Sequence, residues 1–372
     1  MKDYLKVYKA KILVMSPTFV GSGKDISKKE YRLSTDDQKV VIYDPAKFYR
    51  LMQKAGKAPQ YENFLMNDSR NYLETWMQDN QIGISSVEEA VRYSVSCGDR
   101  MEFGKSKVQI MEFAKDPYGL PYVPGSSIKG MLRTILLGYE ISQNHEKYSK
   151  QAEQIKRYQA YRIPDRAGYK KETRSVEVST FNTLNKDVNK PENAVNDNLQ
   201  GLVISDSKLL KLKDLVLCQK IEYHTNGEEK PLNILRECLR SGTYIEFTIT
   251  IDTQTCPYDA DKIMDAIKVF NDMYYECFLS KFNSKKRPTD TVYLGGGAGF
   301  VSKTIIYQMF GAEEGVAVAE NVFRNTLNQN VFYEHGHKND SRYGVSPHIL
   351  KCTRMNGKRF QMGMCRFIIE DM

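Results

Sequence analysis

Gly242-Thr-Tyr-Ile-Glu-Phe-Thr-Ile-Thr-Ile-Asp252 is the stretch that decides the fold class. Ile245, Phe247, Ile249 and Ile251 alternate with Glu246, Thr248 and Thr250, so an extended chain here has one apolar and one polar face. A helix follows. Pro257 and the acids Asp259 and Asp261 stand in its first turn, where negative charge complements the helix dipole. Ile263, Ile267, Phe270, Tyr274 and Cys277 form its apolar stripe. Downstream lie a glycine loop, Tyr293-Leu-Gly-Gly-Gly-Ala-Gly-Phe-Val301, a helix near 318–329, and strands near 349–354 and 359–369.

The same succession occurs earlier in the chain. Tyr8, Ala10, Ile12 and Val14 alternate with Lys9, Lys11 and Leu13, and this strand stops at Ser16-Pro17 before Phe19-Val-Gly-Ser-Gly-Lys24, which reads as a glycine loop. Short strands are predicted near 29–34 and 39–43. Asp44-Pro45 is a helix start, a capping carboxylate followed by proline at the first helical position. The pattern stays helical to about residue 95, with Phe48, Leu51, Met52, Phe64, Leu65, Tyr72 and Trp76. After a strand region near 99–113, Ile128, Met131, Leu132, Ile135 and Leu136 give a second buried helical stripe. Residues 140–200 are polar and read as a ragged helix followed by long, mobile insertions; a strand resumes at Leu202-Val-Ile204. Two such strand–helix–strand units predict an α+β protein of two tandem ferredoxin-like domains. The first is expected over 1–240, with a helical insertion near 44–95 and a polar one near 140–200, and the second over 241–372.

Composition agrees with a two-domain globular chain: 372 residues, 41% of them apolar. The longest unbroken apolar run is four residues, as in Ile12–Met15, against the ~20 of a spanning helix, so a helical membrane protein is excluded. The opening MKDYLKVYKAKILVM has no apolar signal-peptide core, and the seven cysteines, without a C-x-x-C, read as reduced thiols; a cytoplasmic protein is expected. Their spacing offers no zinc site, and no metal or cofactor is expected. The net charge of +8 is concentrated. Residues 1–34 carry eight Lys/Arg against three acids, 140–174 nine against five, and 281–303 five against one. Such clustering fits a polyanion partner, although lysine-rich surfaces also serve solubility alone.

Two motifs carry the polyanion reading further. Gly125-Ser126-Ser127-Ile128-Lys129-Gly130 opens a helix whose free N–H groups and dipole suit a phosphate, with Ser126 or Ser127 able to cap it. Lys129 and Arg133 lie four residues apart on one ridge, so both can extend past the same anion. The bland alternative is a capped helix with two solvated cations. Gly130-Met131 excludes a nucleotide P-loop, and Phe300 stands where a dinucleotide fingerprint needs its third glycine. The four glycines Gly295, Gly296, Gly297 and Gly299 instead let a backbone approach something closely, with Lys281, Lys285, Lys286, Arg287 and Lys303 nearby favouring RNA; a tight turn is the alternative. His335, His337 and Asp340 are candidate metal or acid–base groups, but Glu-His-Gly-His-Lys-Asn-Asp340 is so polar that an exposed loop with solvated histidines is expected.

Val20-Gly-Ser-Gly23, Pro124-Gly-Ser-Ser-Ile-Lys-Gly-Met-Leu-Arg133 and Leu294-Gly-Gly-Gly-Ala-Gly-Phe300, in this order, resemble the RAMP superfamily of CRISPR–Cas systems. Leu202-Val-Ile-Ser-Asp-Ser207, Val345-Ser-Pro-His-Ile-Leu-Lys351 and Gln361-Met-Gly363 bring the likeness closer to the subunit-five family of type III-A Csm effector complexes. The resemblance implies two ferredoxin-like, RRM-like RAMP domains and a non-catalytic, RNA-binding role. It implies a subunit that caps the 3′ end of the guide RNA (crRNA) and supports crRNA maturation in antiviral defence. The implied partners are the backbone and small subunits of the Csm complex and a host nuclease. Gly21, Ser22, Gly23, Lys24, Ser126, Ser127, Lys129, Arg133, Gly295, Gly296, Gly297 and Gly299 would then line the RNA path, with Lys303 beside it. Two other functions stay open: a RAMP endoribonuclease using His337 and Asp340 or the loop acid Asp36, and a scaffold whose main partner is protein.

Overall fold

The computed structural model describes residues 4–34, 38–67, 71–99, 109–160 and 168–371. The chain opens with β1 (Leu5–Val14), β2 (Gly21–Ile26), β3 (Tyr31–Ser34) and β4 (Lys39–Tyr43). Helices α1 (Pro45–Lys54), α2 (Ala58–Asn67) and α3 (Leu73–Asp79) lead to β5 (Val91–Ser96) and β6 (Gln109–Phe113). Then come α4 (Gly125–Gln143), α5 (Ser149–Ala160) and α6 (Gly168–Phe181). The strands β7 (Leu202–Ile204), β8 (Leu215–His224), β9 (Glu229–Leu239) and β10 (Tyr244–Asp252) follow, then α7 (Ala260–Cys277) and β11 (Thr291–Tyr293). The chain ends through α8 (Ile306–Thr326), α9 (Gln329–Glu334), α10 (Asp340–Tyr343), β12 (Ile349–Met355), β13 (Lys358–Gln361) and β14 (Met364–Asp371).

The mixed α/β class is as expected. A five-stranded antiparallel sheet runs β11-β14-β1-β10-β7. The two alternating strands read from sequence are its centre, with Ala10 opposite Phe247 and Ile12 opposite Ile245. Their inward residues are buried together with the stripes of α4 and α7, and α8 packs on both helices. The other face is polar, where Lys11 pairs with Glu370 at 2.9 Å. A six-stranded sheet runs β13-β12-β8-β9-β6-β2, antiparallel except where β6 meets β9. Both large sheets draw strands from either side of residue 240, so the boundary expected there does not coincide with any break in pairing. Periodicity identifies a strand; its partner is chosen by the tertiary fold.

The helical insertion is present and has its own aromatic core of Phe48, Tyr61, Phe64 and Trp76 beneath a small sheet, β3-β4-β5. Asp44 caps α1 by accepting from Lys47 N at 2.9 Å, with Pro45 at its start. Two loop readings are corrected. The segment Gly21 to Lys24 is an edge strand, paired with β6 through a bulge between Gly21 and Asp25. In its described residues the polar region before β7 is built rather than loose: α5 and α6 pack on each other, and buried Asn196 donates its amide to the carbonyls of Asp187 (2.9 Å) and Lys190 (3.1 Å). Its asparagines serve the backbone, which is why it lacks an apolar period. Among the described residues no helix is long and apolar enough to cross a membrane.

Candidate nucleic-acid interface

The three sequence blocks, far apart in the chain, meet at one cleft. Val20 and Gly21 at the start of β2, Ser127 and Gly130 on α4, and Gly295 and Lys303 around the late loop wall a cavity of about 380 Å³. The late loop turns on glycines in left-handed conformation, Gly295 (φ 80°), Gly297 (φ 102°) and Gly299 (φ 94°). A Cβ on Gly295 would stand 2.0 Å from the Phe19 carbonyl oxygen, which accepts from Gly296 N at 2.7 Å. The close approach read from the glycines is therefore, first, an approach to the chain's own backbone ahead of β2.

The predicted site residues divide. Gly21, Ser22, Gly23 and Lys24 lie exposed along β2, Ser22 donating to Glu112 at 3.1 Å. Ser127 and Lys303 face the cleft, and Ser126 is exposed beside it. Neither serine caps α4: Pro124 holds the cap position, and Gly125 N donates to Asp206 Oδ1 at 2.8 Å, so an internal carboxylate already occupies the positive helix end. Lys129 and Arg133 turn away from the cleft. Lys129 Nζ donates to Leu199 O at 2.7 Å, and Arg133 pairs with Asp197 at 2.7 Å and Glu177 at 3.3 Å while lying over the Phe181 ring. No anion is shared on this ridge: Arg133 has its carboxylates within the chain, and Lys129 is taken up by a backbone carbonyl. Burial lowers the Lys129 pKa, with Asp197 acting against it.

Sequence reasoning missed Arg236. It lies on β9 beneath the glycine loop, its Nη1 2.7 Å from where a Cβ on Gly297 would be, among Met111, Met362 and the Phe19 ring. Among the described residues no carboxylate pairs with Arg236 or with Lys303. Burial lowers the pKa of each, and for Lys303 the nearby Arg236 charge adds to it. The available signal was the charged pair Arg236-Glu237 inside the otherwise apolar stretch Ile234-Leu-Arg-Glu-Cys-Leu239.

The histidine segment is not a solvated loop. His337, Asp340 and His348 are buried, Asp340 completely. Asp340 accepts from His337 Nδ1 at 3.1 Å, from Ser346 Oγ at 2.6 Å and from His348 Nδ1. Burial works to raise the Asp340 pKa, but hydrogen bonds from His337, His348 and Ser346 outweigh it and hold the carboxyl below its ordinary value. A second cavity of about 190 Å³, lined by Gly299, Phe300, Phe323, His335, His337 and Lys351, lies beside this group. Polarity of the segment concealed its burial, and His348 stood only in the Val345–Lys351 motif of the family likeness, with no chemical role attached to it. Asp36 lies outside the described residues.

Known proteins resemble the chain in sequence and in fold. The family model of the RAMP superfamily matches residues 11–327. The chain is 29% identical over 399 positions to the CRISPR system Cms protein Csm5 of Mycobacterium tuberculosis, covering 100% of this chain and 99% of that protein. The Csm5 of Streptococcus thermophilus is 28% identical over 84% of this chain and 83% of its own length. In fold the chain resembles a chain of a cryo-EM Csm-crRNA-target RNA ternary complex of a type III-A CRISPR-Cas system (TM-score 0.63, 18% identity, 97% of this chain and 100% of that one). It also resembles crystalline T. onnurineus Csm5 (TM-score 0.55, 16% identity, 96% and 99%).

Proposed function

The chain belongs to the RAMP superfamily, and from that premise we propose that it is a non-catalytic, RNA-binding subunit of a type III-A CRISPR ribonucleoprotein. Its partners in this reading are crRNA and the backbone and small subunits of a Csm complex. It caps the 3′ end of the guide and supports maturation, protecting RNA while a separate host nuclease trims what it leaves exposed, in cytoplasmic antiviral defence. The Csm5 relatives support the assembly. We read the two large sheets as cores of two ferredoxin-like modules interleaved along the chain.

The observation that carries the RNA path is the cleft joining β2, α4 and the glycine loop, with Arg236 and Lys303 beside it and, among the described residues, no carboxylate on either. A cation without an internal partner gains most from a phosphate. Gly295 and Gly296 line this cleft with backbone, the side that a Cβ would occupy being taken up by Phe19. The test is filter binding of guide RNA by the purified chain across a salt series. Replacing both Arg236 and Lys303 by Gln should reduce the magnitude of the log–log salt slope by roughly 0.7 for each phosphate that the variant no longer neutralises. An unchanged slope in the folded variant removes this cleft from the RNA path.

The endoribonuclease reading has one observation in its favour, the ordered His337–Asp340 pair beside a cavity. Cleavage of labelled precursor RNA that follows the chain through purification and is lost in His337→Ala would establish it over the capping role.

A further inference from the structure

We propose that His337, Asp340 and His348 form a binding site for one zinc-class divalent cation, separate from the RNA cleft. The ligand atoms of the three residues lie within 4.8 Å of one another. Metal–donor bonds of about 2.0–2.1 Å put the donors of a tetrahedral site roughly 3.3 Å apart. The 3.1 Å between His337 Nδ1 and Asp340 Oδ2 already meets that spacing. A cation entering between them replaces the two Nδ1–H bonds with lone pairs, each imidazole carrying its proton on Nε2 instead.

The residues are held in place before any ion arrives. Gly336 (φ 69°) and Gly344 (φ 64°) turn the chain on either side of α10, bringing His337, Asp340 and His348 together from a twelve-residue segment. The His337 ring stacks on Phe323 at 4.5 Å, and His348 lies 4.9 Å from Tyr343. Ser346 Oγ donates to Asp340 Oδ2, the oxygen that faces His337, and fixes the orientation of the carboxylate. A hydrogen-bonded pin would need only one imidazole. Here four of the chain's five histidines form a row, His224 to His348 at 5.4 Å, His348 to His337 at 5.8 Å and His337 to His335 at 5.9 Å. The fourth coordination position falls to water from the neighbouring cavity or to His335, which lines it. Two nitrogens and one carboxylate select zinc, cobalt or nickel over magnesium or calcium, which prefer oxygen alone.

The experiment uses the full chain without a histidine tag, stripped with chelator and desalted. Co²⁺ is titrated while its visible absorption is recorded, and bound Zn²⁺ is counted by plasma mass spectrometry. The expected result is one ion per chain, a thermal midpoint raised by Zn²⁺, loss of both in His337→Gln and in His348→Gln, and affinity about tenfold weaker in Ser346→Ala. His145→Ala, at an exposed histidine far from the group in sequence, should bind as wild type. His337→Gln keeps a polar side chain at that position, so the test does not depend on the harsher loss of Asp340. A folded wild-type chain that takes up no Co²⁺ or Zn²⁺, or that binds them equally well in His337→Gln, overturns the site and leaves a hydrogen-bonded pin.

Discussion

Two pairs of cations stand near α4 and are used in opposite ways. Lys129 and Arg133 hold the segment before β7 through Leu199 O, Asp197 and Glu177. Arg236 and Lys303 sit at the glycine loop with neither charge answered by a carboxylate among the described residues; Arg236 is half-buried, while Lys303 is exposed at the cleft with its pKa lowered by partial desolvation and by the Arg236 charge. A positive charge in a sequence is therefore not the same as a positive charge offered to a ligand. The first pair fastens the chain, while the second is held in a state that an incoming anion would relieve.

Charge reversal tests this contrast most severely. Lys129→Glu with Arg133→Glu sets two acids against Asp197 and Glu177 and should destabilise the protein by about 3 kcal/mol, read by denaturant unfolding. Whatever remains folded should keep the wild-type salt slope for RNA. A stable variant with a flattened slope would restore these two residues to the RNA path and remove the contrast.

Next in size is Gly297→Val. A branched residue at φ 102° is strained, and its Cβ would meet Arg236 Nη1 at 2.7 Å. The expected cost is about 2 kcal/mol, with RNA retention falling further than that destabilisation explains, because Arg236 is pushed from its place. Normal RNA binding at wild-type stability would make the loop a plain turn.

The comparison is sharpened by a change expected to stabilise. Arg236→Met places a thioether between Met111 and Met362 and removes a half-buried charge without a carboxylate partner among the described residues. Stability should be unchanged or up by about 1 kcal/mol, while the salt slope falls in magnitude by roughly 0.7. Opposite signs on stability and binding would distinguish a ligand-facing cation from a fastening one. A loss of stability would instead make Arg236 structural.

What the sequence made legible follows the range over which each interaction acts. The alternation of β1 and β10, the stripe of α7 and the Asp44 cap are set by neighbours within a few residues, and each appears where expected. Pairing of β1 with β14 and the parallel contact of β6 with β9 depend on residues hundreds or scores of positions away, so the division at residue 240 had no local test. The same holds for the site. Glycines at 295–299 announced close approach and the resemblance put Gly21 on the same path, but only the fold could bring them together at the cleft. Lys129 and Arg133 looked available because Asp197 and Glu177 were not yet opposite them. The chemistry of Arg236 and His348 was not legible because it lies in what faces them: sulfur and an aromatic ring in one case, a buried carboxylate in the other.

The smallest expected effect is a pH dependence located at Lys303. Burial, and after it the Arg236 charge, hold the Lys303 pKa below its ordinary 10.5. In the free chain the unfolded state then binds the proton more tightly, so this residue's contribution makes stability rise with pH between the lowered value and 10.5. A bound phosphate acts the other way, favouring the ammonium. RNA affinity should therefore fall as pH rises through the lowered value, before an ordinary surface lysine would lose its charge, with proton uptake on binding in that window measurable by calorimetry in buffers of different ionisation enthalpy. Lys303→Arg keeps its charge throughout the range and should flatten the profile while retaining affinity near neutrality. If the profile is the same in Lys303→Arg, the alkaline loss arises elsewhere, and Arg236 alone carries the contrast with the Lys129–Arg133 pair.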